Sequence, residues 1–240
     1  MDAGLSKKEV ATRLASLGRS LPHLDGIMIS HEHSDHISGV GPLARQYRAP
    51  VFVPEPTHKE IVRLLPAARK LPRVEFIRAG DRVTLGDIEV SAFAIPHDAV
   101  EPLAFAFRAG GCKGAVVTDL GYLPAHVQQH LRDADWLVLE SNHDLEMLKV
   151  GPYPWHVKQR VMSRTGHLSN DTVSDFLADA DGFDSRNRIL VLGHLSETNN
   201  TPDVARICAE EALHRRPSAA AFRGELHIAS QHVPLGPFVF

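Results

Sequence analysis

The chain is poor in cysteine, tyrosine and tryptophan, with two, three and two of each among 240 residues. Cys112 and Cys208 stand far apart and outside any Cys-x-x-Cys pattern, which excludes a disulfide framework or a thiolate metal site and fits a reduced, cytoplasmic protein. Long apolar runs are missing as well. No segment approaches about 18 uninterrupted apolar residues, and the opening MDAGLSKKEV lacks the apolar core of a signal peptide, so no membrane association is expected. Nor is there an excess of one charge. The net charge is −3, so any nucleic-acid binding has to come from a local basic groove rather than a positive shell. Linkers, repeats and low-complexity tracts are absent, and a hydrophobic content of 43% is ordinary for a globular protein. One α/β domain spanning 1–240 is the expectation, with monomer and homodimer both left open.

What the chain does have is histidine, fifteen of them. Three fall within MISHEHSDH at 28–36. The run GIMIS before it predicts a short buried strand. In extended chain, His31 and His33 project to the same side and can reach one metal ion. Asp35 and His36 are adjacent and diverge, which suits a second ion nearby. Imidazoles combined with a carboxylate favour zinc, manganese or iron over calcium. Six residues cannot complete two coordination spheres. Three others share one form, a histidine or aspartate directly after an apolar strand: His97 after SAFAIP, Asp119 after GAVVT and His194 after ILVLG. Strand ends along one rim of a sheet are where site residues collect in α/β folds.

The remaining pattern predicts the scaffold. Ser6 with Glu9 forms a capping box opening a helix to about Leu17, and Leu43–Tyr47 and PTHKEIVRLL read as further helices. VFV at 51–53 is a strand. The stretch 81–97 reads as a hairpin turning at Gly86-Asp87, and a second hairpin turns near Gly110-Gly111. Strand and helix then alternate: WLVLE (136–140), a helix over 169–180, RILVLGH (188–194), and a helix beginning TPDV.

The string H-x-H-x-D-H followed by a lone His, a lone Asp and a last His resembles the metallo-β-lactamase-fold hydrolases. With the stretches IPHDAVEP, TDLGY, ESNHD, YPWHVKQR, GHLSN and GHLSETNN, it most resembles the YycJ/WalJ/VicX group of bacterial exonuclease-like proteins. The resemblance covers almost the whole chain. It implies an αββα sandwich and two divalent metal ions, Zn²⁺, Mn²⁺ or Fe²⁺. His31, His33 and His97 would hold one, and Asp35, His36 and His194 the other, with Asp119 bridging. It also implies that Asp2 supports the ligands from behind. Members of the group open with an earlier strand and a Gly/Ser-rich turn, whereas this chain begins within the second strand, so a start placed too late is the expectation.

By the same resemblance Glu140 and His167 are candidates for a carboxylate–histidine pair that protonates a leaving oxygen, with Asp35 as the metal-site carboxylate on which catalysis depends. Ser169 reads as a helix N-cap able to offer backbone N–H groups to phosphate, and His143 as a substrate contact or a loop tie. Between them, Tyr153, Trp155, Lys158, Arg160 and Arg164 interleave aromatics with cations, as single-strand binding requires. The competing reading, an amphipathic helix with Trp155 packed inward, is slightly favoured for that residue. The other histidines follow no ligand pattern. The function implied is hydrolysis of nucleic-acid phosphodiesters, with 5′-to-3′ DNA exonuclease leading. Hydrolysis of a small phosphodiester or of a thioester, as in glyoxalase II, and a non-catalytic regulatory role are the alternatives.

Overall fold

The computed structural model describes residues 1–239, in which the chain forms two compact units. The first takes residues 1–94 and 99–105 with the C-terminal residues from Gly236; the second takes Ile95–Asp98 and Ala106–Leu235.

In the first unit, α1 (Lys7–Ser16) is capped by the Ser6 side chain, which accepts from the Glu9 N–H as the capping box predicts. β1 (Ile27–Met28) leads to a single helical turn, α2 (Ser34–Ile37), then α3 (Val40–Tyr47), β2 (Val51–Val53), α4 (Glu55–Leu64) and β3 (Val74–Phe76). The three strands form a parallel sheet in the order β1–β2–β3, with Ile27 opposite Val51 and Val51 opposite Val74. Its core is built of Ile27, Ile29, Ile37, Val40, Leu43, Val51, Val53 and Ile61, each at most 4% exposed. β4 (Arg82–Leu85) and β5 (Ile88–Ala94) form the first expected hairpin, turning at Gly86-Asp87.

β6 (Leu103–Ala109) carries the chain into the second unit and turns through Gly110 and Gly111 into β7 (Cys112–Val117). Both glycines have positive φ (56° and 82°), as a two-residue hairpin turn demands and as side-chain-bearing residues resist. There follow α5 (Ala125–Leu131), β8 (Trp136–Glu140), α6 (Leu145–Val150), α7 (Trp155–Val161), α8 (Asn170–Ala178), β9 (Ile189–Gly193), α9 (Pro202–His214) and β10 (Glu225–Ile228). Strand order is β10–β9–β8–β7–β6, and β7, β8, β9 and β10 are parallel. β9 is buried along its whole length, the continuous apolar form of a strand covered on both faces. Gly114 in β7 is required by packing: a side chain there would lie 1.7 Å from the ring of Trp136, which stacks on Phe107 at 5.9 Å.

Register fixes the working rim of this sheet. Val117 pairs with Leu139 and Glu140 with Gly193, so the residues at or just past the C-terminal ends of β7, β8 and β9 share one edge. These are Asp119, Glu140 and His194. Among the described residues, no helix is long and apolar enough to cross a membrane.

Candidate metal centre

The first unit presents His31, His33, Asp35 and His36 directly after β1. The segment is extended only as far as His33 (φ −63°, ψ 147°); from Ser34 it winds into α2, which buries His36 and leaves the Asp35 side chain 66% exposed. The turn is held by the N-terminal residues, because the Ala3 N–H donates to the His36 carbonyl at 2.7 Å and the Gly39 N–H to the Ala3 carbonyl at 2.6 Å. The approach is so close that a side chain at Gly4 would fall 1.5 Å from the Asp35 carbonyl oxygen.

Three imidazoles crowd together here. The His31 ring centroid lies 4.5 Å from that of His33 and 4.1 Å from that of His36. Asp2 lies behind them. Its Oδ1 accepts from the Ser30 N–H at 2.8 Å, and its Oδ2 accepts from Ser30 Oγ at 2.9 Å and faces His36 Nδ1 at 3.0 Å. Ser30 Oγ in turn lies 2.9 Å from His31 Nδ1. A metal-ligating histidine typically has one ring nitrogen engaged by a carboxylate or hydroxyl so that the other faces the ion. His31 and His36 have that arrangement.

The second unit carries His97, Asp119, Glu140, His167 and His194. Asp119 and His194 both have positive φ (65° and 56°), uncommon for residues other than glycine, so each strand ends in a sharp turn that aims its side chain. The Nε2 atoms of His194 and His97 lie 3.5 and 3.9 Å from the same oxygen, Asp119 Oδ1. Their Nδ1 atoms are occupied on the far side: His194 by Glu140 Oε1 at 2.6 Å, and His97 by the Gly166 carbonyl at 3.3 Å. Asp119, Glu140, His167 and His194 offer ligand atoms that all lie within 4.8 Å of one another. Converging imidazole nitrogens on a buried carboxylate, each imidazole oriented from behind, make a donor set suited to a borderline divalent cation. The residues present fit a divalent metal.

Glu140 is fully buried and holds more than its expected partner. Oε1 receives both His194 and, at 2.8 Å, His167 Nδ1, while Oε2 accepts the N–H groups of Leu168 at 3.0 Å and Leu120 at 3.3 Å. Burial alone would raise its pKa, but hydrogen bonds and attraction from the two histidines hold the carboxyl well below the usual carboxylate range. For His167 burial is the largest influence and works against the charged form, but the hydrogen bond to Glu140 and the attraction of Glu140 and Asp119 together outweigh it, so the pKa is raised. His167 reaches solvent where Glu140 does not.

Sequence reasoning missed the lattice that holds these loops. Ser141 Oγ donates to Asn170 Oδ1 at 2.7 Å, Asn170 Nδ2 to Asn200 Oδ1 at 3.0 Å, and Asn200 Nδ2 to the Ser141 carbonyl at 2.9 Å, all buried. Asn142 Nδ2 donates to the His194 carbonyl at 2.9 Å, and the Asn142 N–H to that of Leu168 at 2.9 Å. ESNHD, GHLSN and GHLSETNN are thus one hydrogen-bonded cluster, and their serines and asparagines were the available signal.

The remaining candidates divide. Ser169 Oγ accepts from the Thr172 N–H at 3.1 Å as the N-cap of α8. The His143 backbone carbonyl accepts from the Asn170 N–H at 2.8 Å, but its ring is buried with no hydrogen-bond partner on either nitrogen, and burial pushes its pKa down to about 4. Arg160 pairs with Asp98 on the surface. Lys158 is buried and its Nζ donates to the Lys149 carbonyl at 2.7 Å, so its ammonium faces the fold rather than a substrate. Trp155, expected to pack inward, is 64% exposed. It is the first residue of α7, where Lys158 one turn on takes the inner face instead.

The beta-lactamase superfamily domain, as a family description, matches residues 1–195. This chain belongs to that superfamily. It is similar to Exodeoxyribonuclease YycJ of Bacillus anthracis, 36% identical over 98% of this chain and 88% of that protein. It is similar also to Exodeoxyribonuclease WalJ of Streptococcus pneumoniae serotype 2, 36% identical over 86% and 77%. Among solved structures, the metallo-beta-lactamase fold protein YhfI from Bacillus subtilis superposes with a TM-score of 0.61 at 21% identity, over 86% of this chain and 75% of that one. The superfamily chain therefore has the metallo-β-lactamase fold and is a metal-dependent hydrolase.

Proposed function

We propose that this superfamily member hydrolyses the phosphodiester bonds of nucleic acid as a 5′-to-3′ DNA exonuclease within a single functional domain. The observation that carries the reading is the buried Glu140 carboxylate bonded to the partly exposed His167. The full-length similarity to two proteins named exodeoxyribonucleases supports it.

Two divalent ions, Zn²⁺ or Mn²⁺ with Fe²⁺ as a third choice, would be held by His31, His33 and His97 and by Asp35, His36 and His194, with Asp119 between. When bound they supply a nucleophile at neutral pH and neutralise phosphate charge. The chain's own residues do the rest. Asp2 orients His36, and Glu140 orients His194. Glu140 also keeps His167 protonated through Nδ1, which leaves Nε2 to deliver a proton to the departing sugar oxygen. The Ser169 end of α8 and Arg160 flank His167 in sequence as phosphate contacts.

The test is release of nucleotides from 5′- and 3′-labelled single- and double-stranded DNA and RNA with Mn²⁺ or Zn²⁺ added, using Asp35→Ala as control. Stepwise loss from the 5′ end of DNA that disappears in the control is the expected result. Absence of polymer cleavage with metals bound overturns the nuclease reading in favour of small phosphodiesters or thioesters, both of which are assayed in parallel.

A further inference from the structure

The segment from Lys149 to Arg164 has a composition that neither the donor set nor the Glu140–His167 pair requires. Between Glu146 and Asp171 it contains no acidic residue, yet it carries Lys149, Lys158, Arg160 and Arg164 in a chain whose net charge is −3. Lys158 is turned inward, whereas Trp155 at the start of α7, at 64% exposure, and Met162 just past its end, at 36%, stay open to solvent. The other tryptophan, Trp136, is stacked on Phe107 and serves packing. An indole open to water on a charged surface presents a broad, rigid apolar face that a flat partner can cover.

The segment is tied to the reacting end of the second unit. The His167 N–H donates to the Val161 carbonyl at 2.9 Å, the Asp98 N–H to the Thr165 carbonyl at 3.0 Å, and Arg160 pairs with Asp98 next to His97. The Arg164 guanidinium lies over the Tyr122 ring, 4.1 Å from its centroid, which keeps a planar cation beside an aromatic two residues before Gly166. A flat apolar ring among cations, fixed to the loops that carry His97 and His167, has the chemistry to take a polyanion whose units present flat faces.

We infer that Trp155 is a stacking platform for an unpaired base of a single-stranded DNA end, held while the backbone passes Arg160 and Arg164 of the same segment. The inference rests on the nuclease reading and adds to it a single-strand preference and a residue that sets it. Stacking on an aromatic tolerates any base, so the platform grips the strand without choosing sequence.

The experiment uses the full chain and a phosphorothioate oligodeoxynucleotide that resists cleavage. The probes are a single-stranded 12-mer, the same length built of abasic units, and a blunt duplex. Binding is read by quenching of Trp155 fluorescence in a Trp136→Phe background and independently by anisotropy of a labelled strand. The expected result is quenching by the 12-mer and about tenfold weaker binding of it by Trp155→Ala, with recovery in Trp155→Phe. Binding of the abasic strand should be insensitive to both substitutions, and hydrolysis of bis(p-nitrophenyl) phosphate should be unchanged. Equal affinity of Trp155→Ala and the parent for the 12-mer overturns the platform and leaves the nuclease reading standing. Failure of the parent to bind any strand while it still hydrolyses the small diester overturns both. Because Trp155 is exposed, a thermal melt of the alanine variant is expected to match the parent, which separates loss of binding from loss of fold.

Discussion

His167 Nδ1 and Glu140 Oε1 stand 2.8 Å apart, joining an imidazole that solvent reaches to a carboxylate that it does not. The same oxygen holds His194 Nδ1 at 2.6 Å. One buried carboxylate therefore sets the direction of both a candidate metal ligand and a candidate acid. The apolar ends of β8 and β9 bring it there by register.

Replacing Glu140 by Gln should keep the shape and remove the charge. Burial lowers the His167 pKa and Glu140 more than restores it, so the protonated form persists to higher pH in the parent. The alkaline limb of kcat for nucleotide release from DNA should move to lower pH in the variant, and kcat should fall by about 10²–10⁴. An unshifted limb would remove His167 as the proton donor.

Asp2→Ala should act through the metal rather than through substrate. Its carboxylate holds Ser30 and His36, and loss of such a support lowers metal affinity by about 10–100-fold. Competition with a coloured chelator measures this directly. Restoration of turnover by excess Mn²⁺ is the expected companion result, and an unchanged affinity would contradict the assigned role.

His143 should make the protein sensitive to mild acid. Its folded pKa of about 4, set first by burial, lies below the unfolded value of about 6.5. As pH falls through that window the unfolded chain takes up the proton and the folded chain does not, so stability declines and then levels off below pH 4. By pH 5 the loss is about 2 kcal/mol relative to pH 7. Urea unfolding of the parent and of His143→Leu at the two pH values should show that dependence in the parent alone.

Lys158→Ala should weaken the fold and leave substrate binding alone. The Nζ bond to the Lys149 carbonyl ties α7 to the end of α6, and losing it costs about 1 kcal/mol. Oligonucleotide affinity and its salt dependence should match the parent. A salt slope reduced by about one would instead mean that this ammonium meets a phosphate.

The sequence alone determined where the chemistry could be. A short apolar run ending in His or Asp announces a strand and its exit whatever the rest of the chain does. MISHEHSDH, SAFAIPH, GAVVTD and ILVLGH were legible for that reason, as were the Ser6 and Ser169 caps and both glycine hairpin turns. Local spacing says nothing, however, about which strands become neighbours or which face of a short helix is covered. Only tertiary structure decided that Glu140 lies opposite Gly193, one position before His194, and so serves two histidines. It likewise turned Lys158 inward and Trp155 outward on a seven-residue helix too short for its periodicity to choose a side. Ser141, Asn170 and Asn200, polar and unremarkable in sequence, became a buried lattice because strand ends distant in the chain converge on one rim, where every buried amide must find a partner.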